Sequence, residues 1–173
     1  STTIYALTKM DQEEMILNIG YAFKIPSVAL RYFNVYGPRQ SLSNPYTGVT
    51  AIFMSRIKNN HPPIIYEDGR QSRDFISVHD VVRANTLAME TSRANYQAFN
   101  VGSGIRTSIL EIAETLSGIF RKEDIQPEIV EKFRVGDTRH CFADLSKIRK
   151  ILGFKPKIGF EHGMAELVEW AQN

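Results

Sequence analysis

Two residues near the start of the chain, Tyr5 and Lys9, could do proton chemistry. At i, i+4 on a helix, a phenol and an ammonium stand on one face. A neighbouring ammonium favours the phenolate, which makes a tyrosine usable as a general acid and base. Taken alone, the pattern equally describes an ordinary surface pair. Further on, Leu30-Arg-Tyr-Phe-Asn34-Val-Tyr-Gly37-Pro38-Arg39 runs from an apolar strand straight into an Asn-Gly-Pro loop. Open α/β sheets gather their ligand contacts at the ends of such strands. The plainer alternative is a turn in which Asn34 bonds its own backbone. Gly69-Arg-Gln-Ser-Arg73-Asp74-Phe75 sets two arginines around a turn. A guanidinium there could grip a phosphate bidentately, or Arg73 and Asp74 could form a surface pair. Arg134-Val-Gly136-Asp137-Thr-Arg139 repeats the theme of base, glycine and acid.

Other patterns carry less. Gly102-Ser-Gly104-Ile-Arg-Thr107 lies between a strand and a helix, but Thr107 stands where a dinucleotide fingerprint has its third glycine, so a structural turn is the better reading. The four histidines, 61, 79, 140 and 162, show no zinc-like spacing with Cys141, and no metal site is expected. A single cysteine allows no disulfide within the chain and points to a reducing cytosol. The 173 residues carry 21 basic and 19 acidic groups, a balance that does not suggest a nucleic-acid partner. Hydrophobic residues at 43% and charged residues at 23% describe an ordinary globular chain and exclude disorder, collagen and coiled coil. No apolar run approaches the roughly 20 residues that span a bilayer, and no signal-like segment opens the chain.

The elements that must position these groups alternate. A helix over 5–23, with Ile4, Leu7, Met15, Ile16, Ile19 and Phe23 as its apolar positions, ends before Pro26. A buried strand covers 27–33, and a long loop 34–48 of the kind that binds something. A helix over 49–59, strands at 62–66 and 73–78, and a helix from His79-Asp80 to about 92 follow. A strand at 98–101 leads to a helix from Ser108, whose Glu111 completes a capping box. A strand at 127–132, a helix capped by Asp144 and stopped at Gly153, and a last helix over 160–171 close the chain. The class is α/β, with only four or five short strands.

Taken together, Tyr5-Ala-Leu-Thr-Lys9, Arg31-Tyr-Phe-Asn34-Val-Tyr-Gly-Pro-Arg39, Gly69-Arg-Gln-Ser-Arg73-Asp-Phe, Asn100-Val-Gly and Gly136-Asp-Thr-Arg-His resemble, in order and spacing, the C-terminal half of an extended short-chain dehydrogenase/reductase. The closest subgroup is the NAD-dependent nucleotide-sugar epimerases and dehydratases. The resemblance implies an incomplete Rossmann-type fold: residues 1–36 as the end of the NAD-binding domain and 37–173 as mainly the substrate-binding region, with a strand near 97–101 returning to the Rossmann part. It implies Tyr5 as acid/base at the sugar 4-hydroxyl, Lys9 on the nicotinamide ribose and Tyr32 beside the nicotinamide. Asn34, Arg73 and Arg134 would meet the diphosphate, Gly48, Val49, Ile65 and Tyr66 the nucleobase, and Asp137 the ribose. The family's glycine-rich NAD turn and the Ser/Thr partner of its tyrosine lie upstream of what this chain contains. The expectation is a half-enzyme, inactive alone, from a parent that is a cytoplasmic homodimer through the Tyr5–Lys9 helix. The Arg-Tyr-Phe-Asn strand end favours epimerase over 4,6-dehydratase. A nucleotide-sugar binding module without catalysis and a dimerisation module remain as alternatives.

Overall fold

The computed structural model describes residues 3–41, 48–130, 132 and 138–172. Arg134, Gly136 and Asp137 lie outside the described residues. Helix α1 runs Ile4–Ala22, and Thr3 caps it by accepting from the Ala6 N–H at 3.2 Å. It packs on strand β1 (Val28–Tyr32), where Glu13 grips the Arg31 guanidinium with both oxygens, at 2.6 and 2.5 Å. Gly20 lets the helix end close on the turn below it. A Cβ there would stand 2.0 Å from the Ser27 hydroxyl.

β1 pairs in parallel with β6 (Gln97–Val101). One residue later the chain changes partner. The Phe33 N–H donates to the Val101 carbonyl, whereas the Asn34 N–H donates to the Asp74 carbonyl. Strand β2 (Asn34–Tyr36) then runs parallel to β5 (Phe75–Ser77). The long loop expected over 34–48 therefore begins as a strand. Its pairing is with residues about 40 positions on, which no local pattern reveals.

Helix α2 (Val49–Lys58) leads to β3 (Ile64–Ile65), which pairs with β8 (Glu128–Ile129). Strand β4 (Ser72–Arg73) sits between β7 (Thr107–Ser108), antiparallel, and β9 (His140–Cys141), parallel. Among the described residues there are thus nine short strands, more than expected, because several are two-residue pairings made by otherwise irregular chain.

Helices α3 (Val78–Glu90), α4 (Ile109–Ile119), α5 (Ser146–Leu152) and α6 (Phe160–Gln172) complete the fold. The capping box at Ser108 and Glu111 is formed in both directions. Gly153 ends α5 in the left-handed conformation. Asp144 is not the N-cap of α5; Leu145 is, and Asp144 instead accepts from the Ser146 N–H in an Asx turn.

Two apolar clusters hold these layers together. One joins α2, α4 and α6 under β2, β3 and β5, with Tyr36, Phe53, Ile57, Ile65, Leu116 and Leu167 at its centre. Its packing is close: a Cβ at Gly163 would stand 2.5 Å from the Tyr36 hydroxyl. Burial, with Asp80 and Glu166 nearby, pushes the Tyr36 phenol up from its ordinary value. The other cluster joins α3, α5 and β6 through Ala84, Phe99, Ile148 and Phe154.

Buried acids tie the two clusters. Asp74 has no exposed surface and accepts from Ser103 N–H (2.6 Å), Ser103 hydroxyl (2.7 Å), Gly104 N–H (2.8 Å) and Ala143 N–H (3.0 Å). The surface pair with Arg73 is thereby excluded, and the Gly102–Gly104 segment is the structural turn that supplies the donors. Asp80, also buried, accepts from Arg83 and from the Lys157 and Ile158 N–H groups.

Candidate active site

The partner switch at Phe33 and Asn34 opens the sheet at the carboxyl end of β1, where β2 begins, and a strand's carboxyl end is where α/β folds hold ligands. Beside it lies a cleft of about 510 Å³. Asn34, Gly48, Val49, Tyr66 and Arg73, singled out by sequence, all line it. Ile65 does not, because its side chain is fully buried in the core; Ile64 and Tyr66 flank it on the cleft wall. Three further polar residues line the cleft, Arg56, Glu67 and Gln71. Arg56 was legible in principle, standing one helical turn after Ile52, which shares that wall. Glu67 and Gln71 gave no periodic signal.

The cleft suits an anion. Gly48 caps α2 without a side chain, and no acidic residue occupies the first turn, so the leading backbone N–H groups present the positive end of the helix. Arg73 adds a guanidinium whose Nη1 is held by the Ser72 carbonyl (2.9 Å) and the Arg139 carbonyl (3.1 Å). Arg56 is fixed by donating Nε to the Pro62 carbonyl at 2.6 Å. Tyr66 offers a half-exposed ring, and its carbonyl takes the Gln71 amide at 2.7 Å.

The rim turn is pinned by Arg139, which reaches Glu67 at 3.2 Å and Asp68 at 2.6 Å. That guanidinium, with the Arg70 N–H, holds the Asp68 carboxyl below its usual range, and the arginine is raised in return.

The Tyr5–Lys9 pair stands on one face of α1, as its spacing requires. Lys9 Nζ lies 5.7 Å from the centre of the Tyr5 ring and donates to Gln12 at 3.1 Å. Tyr5 is 71% exposed, so its phenol is open to a ligand held from outside the helix. Tyr32, at the end of β1, donates its hydroxyl to Asn85 of α3 at 2.9 Å. The exposed phenol of Tyr5 and ammonium of Lys9 have the donor chemistry that ribose hydroxyls would need in an NAD site, and Tyr32, its hydroxyl committed to Asn85, would offer only its ring. Among the described residues no group of three His, Cys, Asp or Glu could hold a metal ion, and no helix is long and apolar enough to cross a membrane.

The chain is 38% identical over 169 residues to a dTDP-L-rhamnose 4-epimerase of Burkholderia thailandensis, covering 98% of this chain and 46% of that one. It superposes with a TM-score of 0.91 and 37% identity on UDP-N-acetylglucosamine 4-epimerase from Methanobrevibacter ruminantium, solved with UDP-N-acetylmuramic acid, covering 99% of this chain and 54% of that one. UDP-glucose 4-epimerase from Thermotoga maritima, solved with UDP-glucose, gives 0.89 and 34%, with 97% and 53% covered. The chain spans about half the length of the curated relatives it matches. The profile of the NAD dependent epimerase/dehydratase family matches residues 1–102. With more than half its length matched by that profile, the chain belongs to the NAD-dependent epimerase/dehydratase family.

Proposed function

We propose that this chain carries the substrate cleft and the proton-transferring pair of an NAD-dependent nucleotide-sugar 4-epimerase. The observation that carries the reading is the gathering of Asn34, Gly48, Val49, Tyr66 and Arg73 on one cleft with a basic wall. A nucleoside diphosphate has the matching parts: a flat base for Tyr66 and two phosphates for Arg73 and the start of α2. Arg134 and Asp137, by their place in the family pattern, belong to the same diphosphate and ribose contacts.

Tyr5 takes the proton of the sugar 4-hydroxyl, and Lys9 steadies the phenolate that receives it. Bound NAD supplies reversible hydride transfer at that carbon. After the resulting 4-keto sugar has turned, Tyr5 gives the proton back to its oxygen as the hydride returns to the opposite face of that carbon, which completes the epimer. Lys9 would also hold the nicotinamide ribose, and Tyr32, whose hydroxyl donates to Asn85, would border the nicotinamide. Residues 1–36 belong to the NAD-binding domain in this reading and 37–173 mainly to the substrate region. The chain by itself is expected to bind nucleotide but not to turn over, and the parent to pair through the exposed face of α1.

The test is Tyr5→Phe in the full-length protein, assayed for interconversion of UDP-glucose and UDP-galactose and of dTDP-sugars. Turnover should fall by about 10²–10⁴-fold, the usual contribution of a positioned acid/base, with nucleotide affinity kept. Undiminished turnover would remove Tyr5 from the chemistry.

A further inference from the structure

Glu67 is unusual in its backbone and its surroundings. It takes a left-handed conformation, φ +56°, which glycine adopts freely and a longer residue adopts only under strain. Its side chain is only 12% exposed, and it lines the cleft. The backbone is fixed from one side by its N–H, which donates to the Lys132 carbonyl at 3.1 Å. The side chain is fixed from the other by Arg139, whose Nη1 donates to Oε2. The same Arg139 is drawn at shorter range to Asp68, so the local balance of one base and two acids is negative.

A carboxylate has about four acceptor sites, and Arg139 reaches one oxygen. Such a group is a poor neighbour for phosphate oxygens, since like charges side by side weaken binding. Within a cleft that also carries Arg73 and the start of α2, it suits the part of a ligand that donates hydrogen bonds. Tyr66, the adjacent residue, offers the ring on which a base would lie. A nucleoside has donors of two kinds, the N–H of its base and the hydroxyls of its ribose.

We propose that Glu67 is a specificity-determining residue of the cleft, accepting a hydrogen bond from the base N–H or the ribose 2′-hydroxyl of the nucleotide and so selecting nucleotides that keep that donor. The proposal rests on the nucleotide-sugar reading of the cleft. It gives the left-handed backbone a purpose: the strained position keeps a carboxylate where a glycine would leave space.

The experiment is calorimetric titration of the full-length protein, unmodified and as Glu67→Gly, with UDP, 2′-deoxy-UDP and N3-methyl-UDP. The second nucleotide lacks one ribose hydroxyl, and the third lacks the base N–H. Glycine suits the backbone, and thermal melting checks that the variant folds. If it melts early, Glu67→Gln, with one acceptor oxygen replaced by a donor nitrogen, reads the same ratios. One analogue should bind the unmodified protein about 10- to 100-fold more weakly than UDP, the scale of a hydrogen bond to a charged group, and which one it is identifies the donor. In the variant the three affinities should converge. Equal affinities in the unmodified protein, or discrimination that persists in the variant, overturn the proposal and leave the nucleotide reading standing. Failure of UDP itself to bind overturns that reading as well.

Discussion

Helix α1 buries one of its 19 residues, Gly20, whereas the 10-residue α2 buries five. Ile4, Leu7, Met15, Ile16, Ile19 and Phe23, the apolar positions expected to pack, are between 47% and 82% exposed. α2 is wedged against α4 over the Phe53 and Ile57 core. α1 rests on β1, held by Glu13 on Arg31 and by the close approach at Gly20. The cleft is therefore shaped by a close-packed core, and the Tyr–Lys pair rides on a lightly anchored helix. Binding and turnover should respond to different substitutions.

The largest effect is expected where the cleft meets the rest of the molecule. Asp74→Ala leaves the donors of Ser103, Gly104 and Ala143 without their acceptor and should cost roughly 3–5 kcal/mol. For a chain of this size that is a fall in Tm of about 10 °C, measured by calorimetry. A fall near 1 °C would mean that the two clusters do not depend on this acid.

Gly163→Ala drives a methyl into the Tyr36 ring, with Cε2 at 2.8 Å and Cζ at 3.0 Å. About 1–3 kcal/mol of destabilisation is expected, read from urea midpoints. An unchanged midpoint would show a looser core beneath the cleft than the one described.

Glu13→Gln probes the other region and should matter least, less than about 1 kcal/mol, because the pair is partly open to water. Arg31 holds the Glu13 carboxyl below its ordinary 4.5. The contribution is thus present above about pH 4.5 and is lost as the pH falls through the lower folded value. Melting of the two proteins should differ slightly at neutral pH and coincide in strong acid.

The sequence made the local features plain and the long-range ones obscure. The capping box at Ser108, the stop at Gly153 and the i, i+4 face of Tyr5 and Lys9 depend on neighbours a few residues away. A surface pair of Asp74 with adjacent Arg73 stayed open as an alternative, because the true donors to Asp74 come 29, 30 and 69 positions later. β2 was hidden in an Asn-Gly-Pro stretch for the same reason. Of the cleft residues, Asn34 and Arg73 were legible from a strand end and a turn, and Gly48, Val49 and Tyr66 only through family resemblance. Glu67 was missed because a charged residue after a strand reads as solvated turn, and only the fold turns it inward.

In the proposed division the core-built cleft holds the nucleotide and the exposed helix handles the proton. This division is tested most directly by titrating UDP into the unmodified full-length protein, Arg73→Met and Tyr5→Phe. Loss of a guanidinium from a diphosphate site should weaken UDP by about 10- to 100-fold, while Tyr5→Phe should leave it within about threefold. An Arg73→Met variant that binds UDP as well as the parent, or a Tyr5→Phe variant that loses binding equally, would contradict the division.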